Sequence, residues 1–238
     1  MKTLTWIDTA VCLGNGQSRQ GLDLTKMKDY ATVIGCNAIY RDFTPDILVA
    51  LDSAMSHEIY RKANLNDMKT YLGYWTPIPN MIAMDMKRSC QTKIDFEATE
   101  GGNDCVFHGG DFGTAYLTET KESQGPVIDI EPNVDEFAYC TGTRSIHLAC
   151  ELSAKKVFIV GHDLNIDNNL YTGTNAYVEK TLKSALDNWI LQHKNTFDKF
   201  KDVQFYKVDK AKVEMSEWQD CANLKYITQE EMEQQLYN

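Results

Sequence analysis

Thr9-Ala10-Val11-Cys12-Leu13 runs directly into Gly14-Asn15-Gly16-Gln17-Ser18, and the reading of this junction decides the fold class. The run is apolar without alternation, the mark of a strand buried on both faces rather than half-exposed. A Gly-Asn-Gly turn then stops it. The same grammar recurs. Ala31-Thr32-Val33-Ile34-Gly35 stops at Cys36-Asn37, Ile47-Leu48-Val49-Ala50-Leu51 stops at Asp52, and Lys156-Val157-Phe158-Ile159-Val160 breaks at Gly161-His162-Asp163. Residues 22–30 are long enough for a short helix, and 53–63 carry Met55, Ile59 and Tyr60 at helical spacing. Strands alternating with helices in this way predict an α/β chain with a Rossmann-like, mainly parallel sheet flanked by helices.

Residues 66–135 lack a clean period and are expected to form a small mixed lid region with short strands, with an exposed loop over 121–124 and Gly125-Pro126. Order returns with a helix predicted over 143–152, its inner side carrying Ile146, Ala149, Cys150 and Leu152. A polar loop runs on to Thr174, and a helix over 176–193 is expected from Ala176, Tyr177, Leu182, Ala185, Leu186, Trp189 and Ile190. A strand over 203–208 and a terminal helix over 229–236 complete the pattern. With no repeat and no linker, 1–238 reads as a single domain, with 66–135 as a subdomain.

The 238 residues, 43% of them hydrophobic, suffice for one sizeable core. No apolar run approaches the roughly 18 residues of a membrane helix, and the N-terminus lacks a secretory apolar stretch, so a cytoplasmic location is expected. The seven cysteines form no CxxC pair, which indicates neither a zinc site nor a disulfide framework. A net charge of −10 opposes a phosphate backbone. Lys180, Lys183, Lys194, Lys199 and Lys201 form a basic strip that would offset this locally, although a solvated helix face explains them equally.

In an open parallel sheet, ligands bind outside the carboxyl ends of the strands. The sequence puts Gly14, Asn15, Gly16, Ser18 and Arg19 at the first such end, Asn37 and Asp52 at the next two, and His162 and Asp163 at a later one. A Gly-x-Gly turn lets backbone N–H groups approach a phosphate, with the Ser18 hydroxyl as a further donor, but a plain tight turn has the same composition. No Gly-Lys-Ser/Thr follows, and the third Gly of a dinucleotide fingerprint is missing. Asn37 and Asp52 suit ribose and base contacts. Thr141, Gly142 and Thr143 open a helix whose free N–H groups and hydroxyls offer a second polar wall, or simply an N-cap.

For acid–base chemistry His162 and Asp163 are best placed. The plainer reading has Asp163 capping the next loop and His162 as a surface neighbour. His147 and Glu151, four apart on a helix, are placed to pair as ligands but more often form an exposed couple, and His57, His108 and His193 have weaker claims. Asp163-x-Asn165-x-Asp167-Asn168 begins like a calcium loop, but Thr174 stands where the closing Glu belongs, so an Asx-rich turn is expected and no metal is indicated. A divalent ion bound jointly with a diphosphate stays open.

Two stretches together resemble bacterial sialyltransferases of glycosyltransferase family 42. Gly14-Asn15-Gly16-Gln17-Ser18 followed by Cys36-Asn37 resembles that family's GNGPS turn and CN pair, and Thr141-Gly142 through Gly161-His162-Asp163-Leu164 resembles its SG-to-GxDF segment. The latter, extended to Tyr171-Thr172-Gly173-Thr174, is also similar to the related domain of motility-associated flagellin glycosyltransferases, a group that includes 6-hydroxymethylpterin diphosphokinases. The resemblance covers about half of the chain. It implies that Gly14, Asn15, Gly16, Ser18, Asn37, Thr141 and Gly142 hold the nucleotide of a CMP- or UDP-sugar, without a catalytic metal. Gln17 departs from the family's Pro, and the later segment that supplies the sialyltransferase base has no counterpart here.

The expected function is therefore a glycosyltransferase moving a sugar from a nucleotide-activated donor to an acceptor hydroxyl. That hydroxyl belongs to a glycan, a protein, a small molecule or a hydroxylated DNA base, and homo-oligomerisation is left open. The rivals are a pterin diphosphokinase-like transferase, revealed by AMP release, and a nucleotide-binding protein without turnover.

Overall fold

The computed structural model describes residues 7–89, 94–96, 105–108, 115–119, 125–135, 137–165, 169–174, 176–177 and 183–238. Along the chain the strands are β1 (Thr9–Leu13), β2 (Thr32–Cys36), β3 (Ile47–Ala50), β4 (Lys69–Gly73), β5 (Thr76–Ile78), β6 (Ile94–Phe96), β7 (Cys105–His108), β8 (Ala115–Glu119), β9 (Val127–Ile130), β10 (Asn133–Val134), β11 (Phe137–Ala138), β12 (Lys156–Val160), β13 (Gln204–Asp209) and β14 (Leu224–Thr228). The helices are α1 (Leu24–Met27), α2 (Ser53–Lys62), α3 (Asn80–Ser89), α4 (Thr141–Glu151), α5 (Lys183–Lys199) and α6 (Gln229–Tyr237).

Eight strands form one sheet in the order β14-β13-β12-β1-β2-β3-β4-β9. Every neighbouring pair is parallel. The chain is thus an α/β protein with a Rossmann-like sheet. The order runs outward in both directions from the β1–β12 pair, so the topological switch point lies beyond Leu13 and Val160.

Helices cover both faces, which explains the unbroken apolar runs. Ala10, Val11, Cys12 and Leu13 are all fully buried. Val11 and Leu13 join Met27, Met55, Ile59 and Met232 in one core, while Ala10 and Cys12 join Ile146, Ala149, Phe197 and Trp218 in the other. One fully buried leucine such as Leu13 contributes about 2 kcal/mol of transfer free energy, so the two layers carry most of the fold's stability. Residues 76–119 contribute a second, small sheet in the order β5-β7-β8-β6, mixed in direction, with α2 against it through His57 and Tyr116, whose ring centroids lie 4.9 Å apart.

The expected helix over 22–30 is confined to α1, started by Asp23, whose carboxylate accepts the Lys26 N–H. The helix expected over 176–193 is displaced: α5 covers Lys183–Lys199. Ala176 has a φ of 63°, which a right-handed helix excludes, and Tyr177 is drawn instead to Asn15. The expected loop over 121–124, the Asp167-Asn168 end of the Asx-rich stretch, Lys180, Cys90 and the His108 side chain lie outside the described residues. No helix among the described residues is long and apolar enough to cross a membrane.

Candidate functional site at the switch point

The turn after β1 and the loop after β12 are locked together by their backbones. Gly14 N–H donates to Val160 C=O at 2.8 Å and Gly16 N–H to Gly161 C=O at 2.7 Å. A Cβ on Gly14 would stand 2.4 Å from the Gly161 oxygen and 2.8 Å from His162 Cδ2, and one on Gly16 would stand 2.3 Å from Asp163 Cγ. Both glycines are therefore required by the close approach of the β12 loop. Ser18 completes the lock: its N–H donates to Asp163 Oδ2 at 3.0 Å and its hydroxyl to Asp163 Oδ1.

Asp163 thus clasps the preceding turn, not the following loop, and the amides of Gly14, Gly16 and Ser18 are engaged within the protein. Arg19 is buried as well, donating to Asp42 at 3.2 Å and to Tyr171 at 3.0 Å. The Tyr171 hydroxyl in turn donates to Asp42. Leu170 N–H bonds Asn15 C=O at 2.8 Å, so Asn169 to Tyr171 lies along the turn as a short strap.

His162 is not a surface residue; it is 6% exposed. Its ring lies between two glycines. Cδ2 is 2.8 Å from the position of a Gly14 Cβ, and Cε1 is 3.1 Å from that of a Gly142 Cβ. Because Cδ2 and Cε1 flank Nε2, the Nε2 edge points between the β1 turn and the first turn of α4, and Nε2 is buried without a partner. On the other edge Nδ1 meets His193 Nε2 at 3.0 Å. His193 Nδ1 lies 2.8 Å from Trp189 C=O and 3.1 Å from Thr143 Oγ1. Burial first, then the neighbouring His193 and Lys207, holds His162 well below the usual imidazole range, and burial pushes His193 down to about 4. Both rings are neutral at pH 7. Lys207 is itself paired with Asp209, at 2.7 and 2.8 Å.

The third wall comes from β2 and β3. Asn15 is 9% exposed; its Nδ2 donates to Cys36 C=O at 3.1 Å and to the Tyr177 hydroxyl at 2.9 Å. Since a carbonyl only accepts, this fixes the amide's orientation and leaves Oδ1 as a buried acceptor without a partner. Asn37, at a left-handed φ of 51°, also has its Oδ1 buried and unpartnered. Thr141 Oγ1 accepts the Leu51 N–H at 3.3 Å, tying the start of α4 to the end of β3. Cys140 caps α4 through Sγ, which accepts the Thr143 N–H at 3.5 Å. Asp52 begins α2 as an exposed residue, near enough to push the Cys140 thiol and the Tyr177 phenol upward, after burial has done most of it.

Of the sequence-predicted residues, Gly14, Asn15, Gly16, Asn37, Asp52, Thr141, Gly142, Thr143 and His162 gather at this end of the sheet, whereas Ser18, Arg19 and Asp163 hold the strap and the two loops in place. His147 and Glu151 are not an exposed pair: His147 is fully buried against Tyr139 and Phe200, and its Nδ1 is 3.1 Å from Glu151. Sequence reasoning undervalued His193. The signal was its phase: with Thr196 and Phe197 it belongs to the buried side of α5. Among the described residues no three His, Cys, Asp or Glu side chains gather as a metal site requires. No family model, curated protein or solved structure matches the chain.

Proposed function

We propose that the chain is a glycosyltransferase that takes a nucleotide-activated sugar at the switch point. The observation that carries this reading is that three buried polar atoms without partners, Asn15 Oδ1, Asn37 Oδ1 and His162 Nε2, follow the carboxyl ends of the neighbouring strands β1, β2 and β12, with His162 packed against Gly142 in the first turn of the 11-residue α4. A buried polar group without a partner costs about 1–3 kcal/mol, and a ligand that satisfies all three recovers that cost. The helix N-terminus favours the donor's phosphate, with Thr141 and Gly142 nearest to it. Asn15 and Asn37 face donors on the ribose or base.

In the transfer step, His162 Nε2 takes the proton of the acceptor hydroxyl as that oxygen bonds to the anomeric carbon. The bond from that carbon to the phosphate oxygen breaks, and its electron pair leaves with the nucleotide. Asp163, held by Ser18, keeps the two loops at their spacing instead of taking the proton. The resemblance to glycosyltransferase family 42 motivates a donor of the CMP- or UDP-sugar class; of the residues it implies, Asn15, Asn37, Thr141 and Gly142 keep a binding role in this reading, whereas Gly14, Gly16 and Ser18 are engaged with Val160, Gly161 and Asp163.

Titration calorimetry of the protein against CMP, UDP and their sugars tests the reading. Binding of one nucleotide sugar with transfer to an added acceptor supports it. Binding without transfer would instead make the chain a nucleotide-holding protein, and heatless titrations with the whole panel would remove the reading.

A further inference from the structure

The orphaned Nε2 of His162 has a chemical identity that the arrangement behind it fixes. Trp189 C=O is an acceptor only, and it faces His193 Nδ1 at 2.8 Å. A lone pair at that separation would repel the oxygen, so Nδ1 carries the proton. His193, neutral, therefore presents a lone pair at Nε2. That lone pair faces His162 Nδ1 at 3.0 Å, so His162 Nδ1 is the donor. A neutral imidazole has one N–H; with it on Nδ1, His162 Nε2 is left as an acceptor. The alternative chain of protons would set two lone pairs or two N–H groups against each other at one of the two contacts.

We propose that His193 is a positioning residue which, anchored by the Trp189 carbonyl, fixes His162 in the Nδ1–H form, and that Nε2, pointing between Gly14 and Gly142, consequently receives an O–H or N–H group of the acceptor substrate. This rests on the transferase reading for its consequence, but not for its geometry. Nε2 rejects an ionised phosphate oxygen, which would bring lone pair against lone pair. The donor's phosphates and the acceptor's hydroxyl are thereby sorted to different parts of one site, phosphates toward Thr141 and hydroxyl toward His162. When Nε2 takes the proton, the resulting imidazolium is held by the same Nδ1–H···Nε2 bond to His193, and the proton leaves to solvent with the product. Burial and Lys207, which is paired with Asp209, keep both rings neutral beforehand, so the lone pair is present at pH 7. The other groups against the pair are Thr143, whose Oγ1 lies 3.1 Å from His193 Nδ1, and the Trp218 ring, stacked on His193 at 5.5 Å.

Long-range proton–nitrogen correlation spectra of protein labelled with 15N-histidine, at pH 7, read this without a substrate. In the unaltered chain His162 is expected with a protonated Nδ1 and an unprotonated Nε2. A spectrum with the proton on His162 Nε2, or with both nitrogens protonated, overturns the inference. His193→Phe removes the acceptor and is expected to release His162 to the other tautomer, while His193→Gln, whose amide oxygen can replace Nε2, is expected to restore the Nδ1–H form. A His193→Phe variant that keeps the Nδ1–H form also overturns it. If the chain transfers sugar, the rate falls by up to roughly 10⁴-fold in His193→Phe, the scale on which a mis-set tautomer acts in hydrolytic triads, and recovers in His193→Gln. The expected tautomer in a chain that transfers nothing defeats the transferase reading alone; the wrong tautomer in a chain that does transfer defeats this inference alone.

Discussion

The two sides of the switch point are built on opposite plans. On the β1 side, the Gly14–Ser18 turn has the composition of a phosphate loop, yet the spaces its glycines leave are filled by Gly161, His162 and Asp163, and three of its amides are engaged, that of Gly14 by Val160 at the end of β12 and those of Gly16 and Ser18 by the loop that follows. On the side toward α4, Thr141 and Gly142 have no such composition, yet His162 Nε2 is left without a partner beside them, and within the turn only the Asn15 Oδ1 side-chain acceptor stays unused. Glycines at a strand end thus mark close packing between two loops as readily as a bound anion. The useful signal is an unsatisfied polar atom in a buried place.

Substitutions break this comparison in order of effect. His162→Ala is expected to lower the transfer rate by ~10²–10⁴-fold, the usual contribution of a positioned base, while the protein still folds. An unchanged rate in a steady-state assay would take His162 out of the chemistry. Gly16→Ala is expected to act on stability: its Cβ would stand 2.3 Å from Asp163 Cγ and 2.6 Å from the Gly161 oxygen, so loops must part. Overpacking of this kind costs about 1–3 kcal/mol, a fall of roughly 3–10 °C in Tm by calorimetry for a chain of this size. A Gly16→Ala protein that melts normally but no longer binds nucleotide would restore the phosphate-loop reading.

Acid sharpens the same contrast. Unfolded His193 takes up a proton near 6.5 and folded His193 only near 4, so between these values the unfolded state holds more protons and stability falls as pH falls. His193 alone accounts for roughly 3 kcal/mol across that window, and His162 adds to it in the same direction. Urea titrations at several pH values are expected to show His193→Gln losing part of this slope; an identical slope would mean that His193 is not buried neutral. The smallest effect is that of Asn15→Ala, expected to weaken nucleotide binding by ~10-fold and to lower stability by about 1 kcal/mol through the lost bonds to Cys36 and Tyr177.

What the sequence disclosed follows the physics of burial. β1, β2, β3 and β12 are central strands covered on both faces, so their apolar runs are unbroken and their ends abrupt. β9 and β14 are the edge strands, and only Ile130 in the first and Ile227 in the second are buried, so neither leaves a run to read. β4 hides a fully buried Thr70 among apolar neighbours, which blurs its period. Within the site, the strand-end rule located Gly14, Asn37 and His162. It could not foresee that Ser18 would take Asp163, that Arg19 would turn to Asp42 and Tyr171, or that His193 would arrive from 31 residues downstream of His162. Such pairings are made by tertiary packing, and no local pattern encodes them.

A crystal of the protein soaked with CMP- and UDP-sugars tests the central claim most directly. The nucleotide is expected at the switch point, its phosphate at Thr141 and Gly142, its ribose or base on Asn15 Oδ1 and Asn37 Oδ1, and its anomeric carbon within reach of a hydroxyl seated on His162 Nε2. A nucleotide sugar bound elsewhere, with the switch point left empty, would contradict that claim.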